Sequence, residues 1–441
     1  MNTIHLVSLG CAKNLVDSQR VLGALAAAGF QPASEAATAN VLLVNTCGFL
    51  QAAVEEGIDE ILRLATDKQL GQKLVVFGCL VERYGEELVR ELPEVDLFRG
   101  VEPYAAIAAE IQALLSGATP GRLILGNKSA ITACQPPRLL TAPRHRAYLK
   151  ITEGCDNRCS YCMIPAIRGP LRSRPLDELT REAMWLEQEG IQELSLIAQD
   201  LTAYGRDHTG RPELVELLTT LTRQTAIPWI RLLYLHPLGV TENLLECIAA
   251  ERRLLPYLDI PIQHASSRIL KAMNRRYDRA FIEKMVSTIR AFLPDVSLRT
   301  TLLVGFPGEE ERDVDEVITL LEKARFDHVG VFAYSNEPGA PSEHFPGQCP
   351  EEEKERRRDR VMAAQANISA ARQKNYIGRS LDVLVEGVSA ESELLLEGRS
   401  MYQAPEVDGC VYINEGTAAP GDIVRVRIEE AHTYDLVGGM V

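Results

Sequence analysis

Three times within its first eighty residues the chain runs through an apolar stretch of strand length, stops at a cysteine and turns into a helical segment. The stretches are Ile4 to Cys11, Val41 to Cys47 and Leu74 to Cys79. The helical segments run from Leu15 to Gly29, Ala52 to Ala65 and Tyr84 to Leu92. Strands that are apolar along their whole length, alternating with helices, predict a parallel sheet covered on both faces. Ligands of such sheets gather beyond the carboxyl ends of the strands, where Cys11, Cys47 and Cys79 fall. The cysteines stand 36 and 32 residues apart, close to the roughly 30 residues of one strand–helix–strand unit. Neighbouring strand ends lie about 5 Å apart, so three thiolates from successive units can share one cluster. Singly, each cysteine reads as a buried free thiol. Their repetition at equivalent positions is what packing does not account for.

A second alternation begins near residue 145. Six strand candidates follow: Ala147–Thr152, Glu193–Asp200, Ile230–His236, Leu258–His264, Ser297–Gly305 and His328–Ser335. Helical segments such as Leu179–Gly190 and Phe281–Phe292 separate most of them. Six such units predict a partial, open (β/α)6 barrel with its chemistry at the C-terminal strand ends. Between the two alternations, residues 113 to 143 carry Gly117, Pro120, Gly121, Pro136, Pro137 and Pro143 and read as a linker. Residues 350 to 376 predict one charged helix with Glu352/Arg356 and Glu353/Arg357 spaced to pair. The tail predicts a small antiparallel β-barrel from the runs Leu381–Glu386, Glu393–Gly398, Cys410–Asn414 and Ile423–Glu429. The expected division is therefore α/β in class: 1–135, 140–370 and 374–441.

The first strand of the second alternation leads into Cys155-Asp-Asn-Arg-Cys159-Ser-Tyr-Cys162, a Cys-x3-Cys-x2-Cys run. Thiolates are the usual ligands of iron–sulfur clusters, which normally take four. Three close ligands leave one iron open. A structural zinc site prefers paired C-x2–4-C units and a fourth ligand, which this run lacks.

Four further cysteines, Cys134, Cys247, Cys349 and Cys410, fall outside both sets and read as bystanders. A chain of this length with no basic n-region and apolar stretch at its start does not predict a disulfide framework. No apolar run reaches the roughly 18 residues a membrane span needs, so a cytoplasmic protein without membrane contact is expected. The formal net charge is −14, which argues against bulk attraction to nucleic-acid phosphates. From Lys374 to Val441 five Lys/Arg face twelve Asp/Glu, a net of −7. Residues 140 to 174 run the other way. Arg144, Arg146, Lys150, Arg158, Arg168, Arg172 and Arg174 stand against Glu153 and Asp156. That excess reads either as a patch attracting carboxylates or as a solvated face.

Four segments together resemble the radical S-adenosylmethionine (SAM) methylthiotransferase family. They are Gly10-Cys11-Ala12-Lys13-Asn14-Leu15-Val16-Asp17-Ser18, Asn45-Thr46-Cys47-Gly48-Phe49, Gly154 to Cys162, and Ile167-Arg168-Gly169-Pro170-Leu171-Arg172-Ser173-Arg174. Within the family they look like the branch that modifies an aspartate of small-subunit ribosomal protein twelve; the other branch modifies an isopentenylated adenosine of tRNA. The resemblance spans nearly the whole chain. It implies an N-terminal cluster domain, a radical SAM partial barrel and a C-terminal TRAM barrel. It implies SAM and two [4Fe–4S] clusters, one on Cys11, Cys47 and Cys79 and one on Cys155, Cys159 and Cys162. The open iron of the second set would bind SAM, whose cleavage yields a radical that abstracts hydrogen from the aspartate β-carbon. Tyr161 belongs to the same pattern, and Gly305 to a late-strand glycine motif, Val304 to Glu309, that lies near SAM in the superfamily. Gln199, Asp200, Gln263 and Arg299, at or near strand ends, are candidates to face the cofactor, with ordinary barrel packing as the other reading. The implied partners are ribosomal protein twelve or the whole small subunit and an electron-donor protein. A tRNA partner belongs only to the alternative branch, and the acidic tail points away from it.

Overall fold

Helical layers on both faces explain why the cysteine-bearing strands are apolar throughout. The computed structural model describes residues 2–102, 104–118, 121–128, 138–141 and 143–441. Its first sheet comprises β1 (Thr3–Ser8), β2 (Gln31–Pro32), β3 (Val41–Thr46), β4 (Lys73–Gly78), β5 (Leu97–Arg99) and β6 (Leu123–Ile124). The order is β2-β1-β3-β4-β5-β6, with all pairings parallel. Successive side chains point to opposite faces of a strand. Val41, Leu43, Val75 and Phe77 therefore pack with the helices Ala12–Ala27 and Ile107–Leu115. Leu42, Val44, Leu74 and Val76 pack with the helices Gln51–Asp67 and Cys79–Glu91. The short strand β6 lies inside the stretch expected to be a linker, so part of that stretch completes the sheet. Cys134, Pro120, Pro136 and Pro137 lie outside the described residues.

The second sheet contains β7 (Arg146–Lys150), β10 (Glu193–Ile197), β11 (Trp229–Leu232), β12 (Leu254–Asp259), β13 (Ser297–Val304) and β14 (His328–Ala333). All pair in parallel and in chain order. Among the described residues no ladder joins β7 to β14, so the barrel is partial. Strand β12 starts at Leu254, four residues ahead of the expected Leu258. A two-stranded antiparallel ribbon, β8 (Thr152–Glu153) with β9 (Arg172–Ser173), brackets the Cys155–Cys162 loop. Beside it Gly154 has φ +70, and a Cβ there would sit 1.9 Å from the Pro170 carbonyl oxygen. Only glycine fits this approach.

The charged helix spans Glu351–Gln373. Glu353 and Arg357 pair at 2.7 Å as their spacing predicts. The pair Glu352/Arg356 does not form: Arg356 turns to Glu353 at 2.7 Å and to Glu311 of the neighbouring helix Glu311–Ala324. Arg360 reaches Asp315 of that helix at 2.5 Å. Contact with a packed neighbour thus redirects these side chains.

The C-terminal barrel is closed, in the order β15-β16-β17-β19-β18. Its strands are β15 (Ser380–Val388), β16 (Leu396–Ser400), β17 (Val411–Glu415), β18 (Ile423–Ala431) and β19 (Leu436–Met440). Four pairings are antiparallel. The fifth, β17 with β19, is parallel, because the last strand closes the barrel between β17 and β18. None of the expected runs covers strand β19, which carries the Gly438-Gly439 pair. A Cβ at Gly438 would sit 2.1 Å from the Arg427 carbonyl oxygen, so close strand approach is what demands glycine there.

The segment after β16 reaches the inner face of the partial barrel. Arg231 donates to the Met401 carbonyl at 3.0 Å. Asp408 accepts from Tyr257 Oη at 2.7 Å and from Arg299 at 2.8 Å. Val16, Tyr148, Ile197, Trp229, Leu233, Leu255, Tyr257, Leu384 and Ala404 form one apolar cluster drawing on all three parts of the chain. Among the described residues no helix is long and apolar enough to cross a membrane.

Candidate active site

Strands β1, β3 and β4 are neighbours, and each delivers its cysteine just past its carboxyl end. Gly10, at φ +92, and Gly78, at φ +108, turn the chain around Cys11 and Cys79. Asn14 ties the set together. Its Nδ2 donates to the carbonyls of Leu9 at 3.1 Å and Thr46 at 3.2 Å. Its Oδ1 lies 3.9 Å from both Cys11 Sγ and Cys79 Sγ; two contacts of 3.9 Å bound the separation of these thiols at 7.8 Å.

The barrel set sits in a loop held at several points. Cys155 N–H donates to the Gly169 carbonyl at 3.1 Å, and Cys162 N–H to the Cys159 carbonyl at 3.2 Å. Asn157 Nδ2 donates to Asp200 at 2.7 Å, and Ser160 Oγ to the Ala272 carbonyl at 2.9 Å. Asp156 accepts from Leu171 N–H at 2.9 Å.

Both sets line one cavity of about 660 Å³ between the N-terminal sheet, the partial barrel and the segment after β16. All six thiols are free. Burial pushes Cys79 up to about 12, Cys155 to about 11 and Cys162 to about 12, and it raises Cys47. Cys11 moves the other way: burial opposes ionisation, but the cations of Lys13 and Arg168, together with the backbone N–H groups of Asn14 and Lys13, outweigh it. A pocket that keeps most of these thiols protonated takes three thiolates at a site only with a compensating cation. Two all-sulfur sets of three suit iron–sulfur clusters; the one carboxylate between the barrel cysteines, Asp156, is turned to Leu171 N–H.

Arg168 joins the N-terminal set to a buried charge network. Its Nε donates to Cys79 Sγ at 3.2 Å, Nη2 to Asn14 Oδ1 at 2.9 Å and Asp17 Oδ2 at 3.1 Å, and Nη1 to Glu153 Oε1 at 2.9 Å. Lys150 bonds Asp17, Glu153 at 2.6 Å and Glu102 at 3.3 Å. Arg174 pairs with Glu182 at 2.7 Å. Within the basic stretch of residues 140 to 174, Arg144 and Arg158 are exposed, but four of the seven cations form neither a solvated face nor a free anion-binding patch. Lys150, Arg168, Arg172 and Arg174 are buried, and acidic groups recruited partly from the N-terminal region neutralise three of them. The carboxylates of Asp17, Glu102 and Glu153 lie close enough together to hold a metal ion, but the ammonium of Lys150 bonds all three.

Of the expected cofactor contacts, Tyr161, Gln199, Gln263 and Arg299 line the cavity. Gln199 Nε2 reaches Glu153 at 3.4 Å, and its buried Oε1 has no partner. Gln263 holds φ +68, its backbone bridging Thr301 and Leu303 of β13. Arg299 is engaged by Asp408 at 2.8 Å and Asp259 at 3.7 Å. Gly305 is not among the lining residues; it donates to Glu309 at 2.9 Å and Lys354 packs over it. Asp200 likewise lies behind the wall, capping Thr202 and holding Asn157. Cys247, Cys349 and Cys410 are free thiols apart from the cavity. Lys13, Tyr234, His236, Arg275, Phe332 and the segment Pro405-Glu406-Val407 also line the wall. Lys13 and Arg168 stood inside quoted motifs. Tyr234, His236 and Phe332 fall within the expected strands Ile230–His236 and His328–Ser335, whereas Arg275 and the segment 405–407 carry no sequence signal, because they converge from loops of two different parts of the chain.

A protein of Desulfotalea psychrophila named ribosomal protein uS12 methylthiotransferase RimO is 53% identical over 439 residues, covering 99% of each chain. The chain belongs to this family. A relative of the same name from Geobacter sulfurreducens is 47% identical over 99% of this chain and 98% of its own. Residues 3–100 match the model described as uncharacterized protein family UPF0004, residues 149–321 the radical SAM superfamily and residues 377–441 the TRAM domain. Family membership makes the chain a radical SAM methylthiotransferase, and the radical SAM match implies one [4Fe–4S] cluster and SAM. Among solved structures, the radical SAM methyltransferase TsrM from Kitasatospora setae, bound to cobalamin and a [4Fe–4S] cluster, superposes with TM-score 0.59 at 14% identity over 78% of this chain and 77% of its own. The cobalamin-dependent radical SAM enzyme OxsB gives 0.52 at 11% identity over 83% and 56%. These two share the fold.

Proposed function

We propose that the chain adds a methylthio group to the β-carbon of an aspartate in ribosomal protein uS12, with Cys155, Cys159 and Cys162 holding the SAM-binding cluster and Cys11, Cys47 and Cys79 a second [4Fe–4S] cluster. The observation that carries this is the single cavity of about 660 Å³ lined by both cysteine sets. One substrate carbon can meet both sets only if they share a chamber. When bound, the clusters supply the electron that cleaves SAM to a hydrogen-abstracting radical and the site from which sulfur is delivered. The chain's own residues orient and shield. The buried Arg168 donates to Cys79 Sγ and locks helix Ala12–Ala27 to the barrel through Asp17. Tyr161, Gln199 and Gln263, which line the chamber, would contact SAM. The segment 405–407 forms part of the chamber wall.

The names of the relatives support uS12 as substrate. The tail's net charge of −7 supports docking of a basic protein over tRNA. The proposal includes three domains, at 1–135, 140–370 and 374–441, a cytoplasmic site of action and an electron-donor protein. The test is competition. Anaerobically reconstituted enzyme with about eight irons receives SAM, reductant and sulfide, together with either uS12 and small subunits or isopentenylated tRNA. Mass spectrometry expects one methylthio group on the uS12 aspartate. Modification of tRNA alone would overturn the substrate, and about four irons per chain would remove the second cluster.

A further inference from the structure

An aspartate entering this cavity brings its carboxylate into a chamber already lined by Asp259 and Glu406. A carboxylate gives up water only for a cation or for several hydrogen-bond donors. Four cationic side chains line the wall: Lys13, Arg168, Arg275 and Arg299. Arg168 is saturated by Glu153, Asp17, Asn14 and Cys79. Arg299 is held by Asp408 and Asp259. Arg275 donates to the Pro261 carbonyl at 3.4 Å and lies over the Tyr277 ring, so it belongs to the barrel end.

Lys13 stands two residues after Cys11; like Arg275 it has no carboxylate ion-pair partner among the described residues, but of these two it alone belongs to the N-terminal cysteine loop. Its Nζ lies 3.6 Å from the centroid of the Tyr234 ring, which holds the ammonium in place without neutralising it.

We propose that Lys13 binds the carboxylate of the substrate aspartate and makes the enzyme selective for an acidic side chain. The proposal rests on the methylthiotransferase reading and deepens it. The β-carbon of aspartate is bonded directly to the carboxyl carbon. Gripping the carboxylate therefore fixes the reacting carbon, and Lys13 fixes it beside the N-terminal cysteine set. Asparagine matches aspartate in shape but offers the ammonium no charge, so the two separate this interaction from fit.

The test uses reconstituted holoenzyme, wild type, Lys13→Met and Lys13→Arg, with iron counted in each. The substrates are uS12 with its native target aspartate and uS12 with asparagine there. Wild type is expected to favour aspartate by about tenfold or more in kcat/KM, the size of a charge-assisted contact. Lys13→Met should bring the two substrates within about twofold, its loss on the aspartate protein falling mainly in KM, while Lys13→Arg keeps most of the preference. A Lys13→Met enzyme that retains the wild-type preference overturns the proposal. So does one that loses iron from the N-terminal site, since the residue would then serve the cluster. A wild-type enzyme that modifies neither protein would remove the underlying function and the proposal with it.

Discussion

Arg168→Met removes the centre of the buried network without removing its volume. In the native chain Asp17, Glu102 and Glu153 are matched by Lys150, Arg20 and Arg168, all buried. The substitution leaves three carboxylates against two cations. Losing one partner of a buried ion pair costs about 3–5 kcal/mol, because the remaining charge stays out of water. The loss should register where the network crosses from helix Ala12–Ala27 to the barrel. At about 1.4 kcal/mol per tenfold, it accelerates opening of that helix by about two to four powers of ten. Native-state hydrogen exchange on iron-free wild type and variant, compared peptide by peptide, measures this. The sign with pH is also set. Burial alone would raise the Glu153 carboxyl, but Arg168 and Lys150 hold it far below the usual range. Its stabilising contribution is therefore present above the unfolded carboxylate pKa of about 4.3 and is lost as pH falls through the lower folded value. Without Arg168 a network carboxylate takes up a proton at higher pH, so the gap between variant and wild type should narrow on acidification toward pH 5. A variant exchanging within about 0.5 kcal/mol of wild type near neutrality, or a gap that does not narrow, refutes the reasoning.

Cys159→Ala should leave about four irons per chain instead of about eight and abolish SAM cleavage; colorimetric iron and product chromatography check both. Asp408→Asn weakens the bonds from Tyr257 and Arg299 that seat the C-terminal barrel; we expect about 1–3 kcal/mol lost and faster proteolysis within residues 400–408. Burial opposes ionisation of Asp408, but His328 and Arg299 lower its pKa, so this contribution too should be present above about pH 4 and fade below it in a urea titration. Gly438→Ala must displace the Arg427 carbonyl, which would meet the new Cβ at 2.1 Å. A destabilisation of about 1–3 kcal/mol confined to the C-terminal barrel is the expected outcome, and chemical denaturation followed at Tyr402 and Tyr412 would reveal it.

Much of the fold was legible because its units are local. The runs ending in Cys11, Cys47 and Cys79 and the six barrel strands each bury apolar side chains against helices next to them in sequence, so their periodicity survives in the linear text. The short strands β2, β5 and β6 and the glycine-bearing β19 were not legible. Two or three residues carry no period, and Gly438 is chosen for a neighbouring backbone rather than for a turn. The Glu352/Arg356 pair failed for a related reason, since Glu311 on another helix competes for Arg356.

The sequence by itself determined the two sets of three cysteines, the class of cofactor they suit, the α/β alternation and the sign of the C-terminal charge. Spacing and composition are one-dimensional properties, and these conclusions need nothing else. Only the tertiary structure decided that both sets open into one cavity and that the loop Pro405-Glu406-Val407 forms part of its wall. It also decided which cations there are already engaged. Arg168 and Lys13 both read as basic residues near a cysteine. In the folded chain one is consumed by Asp17 and Glu153, residues 151 and 15 positions away, and the other faces the cavity without a carboxylate. The charge a side chain presents depends on what long-range packing brings beside it, and that is absent from any local stretch of sequence.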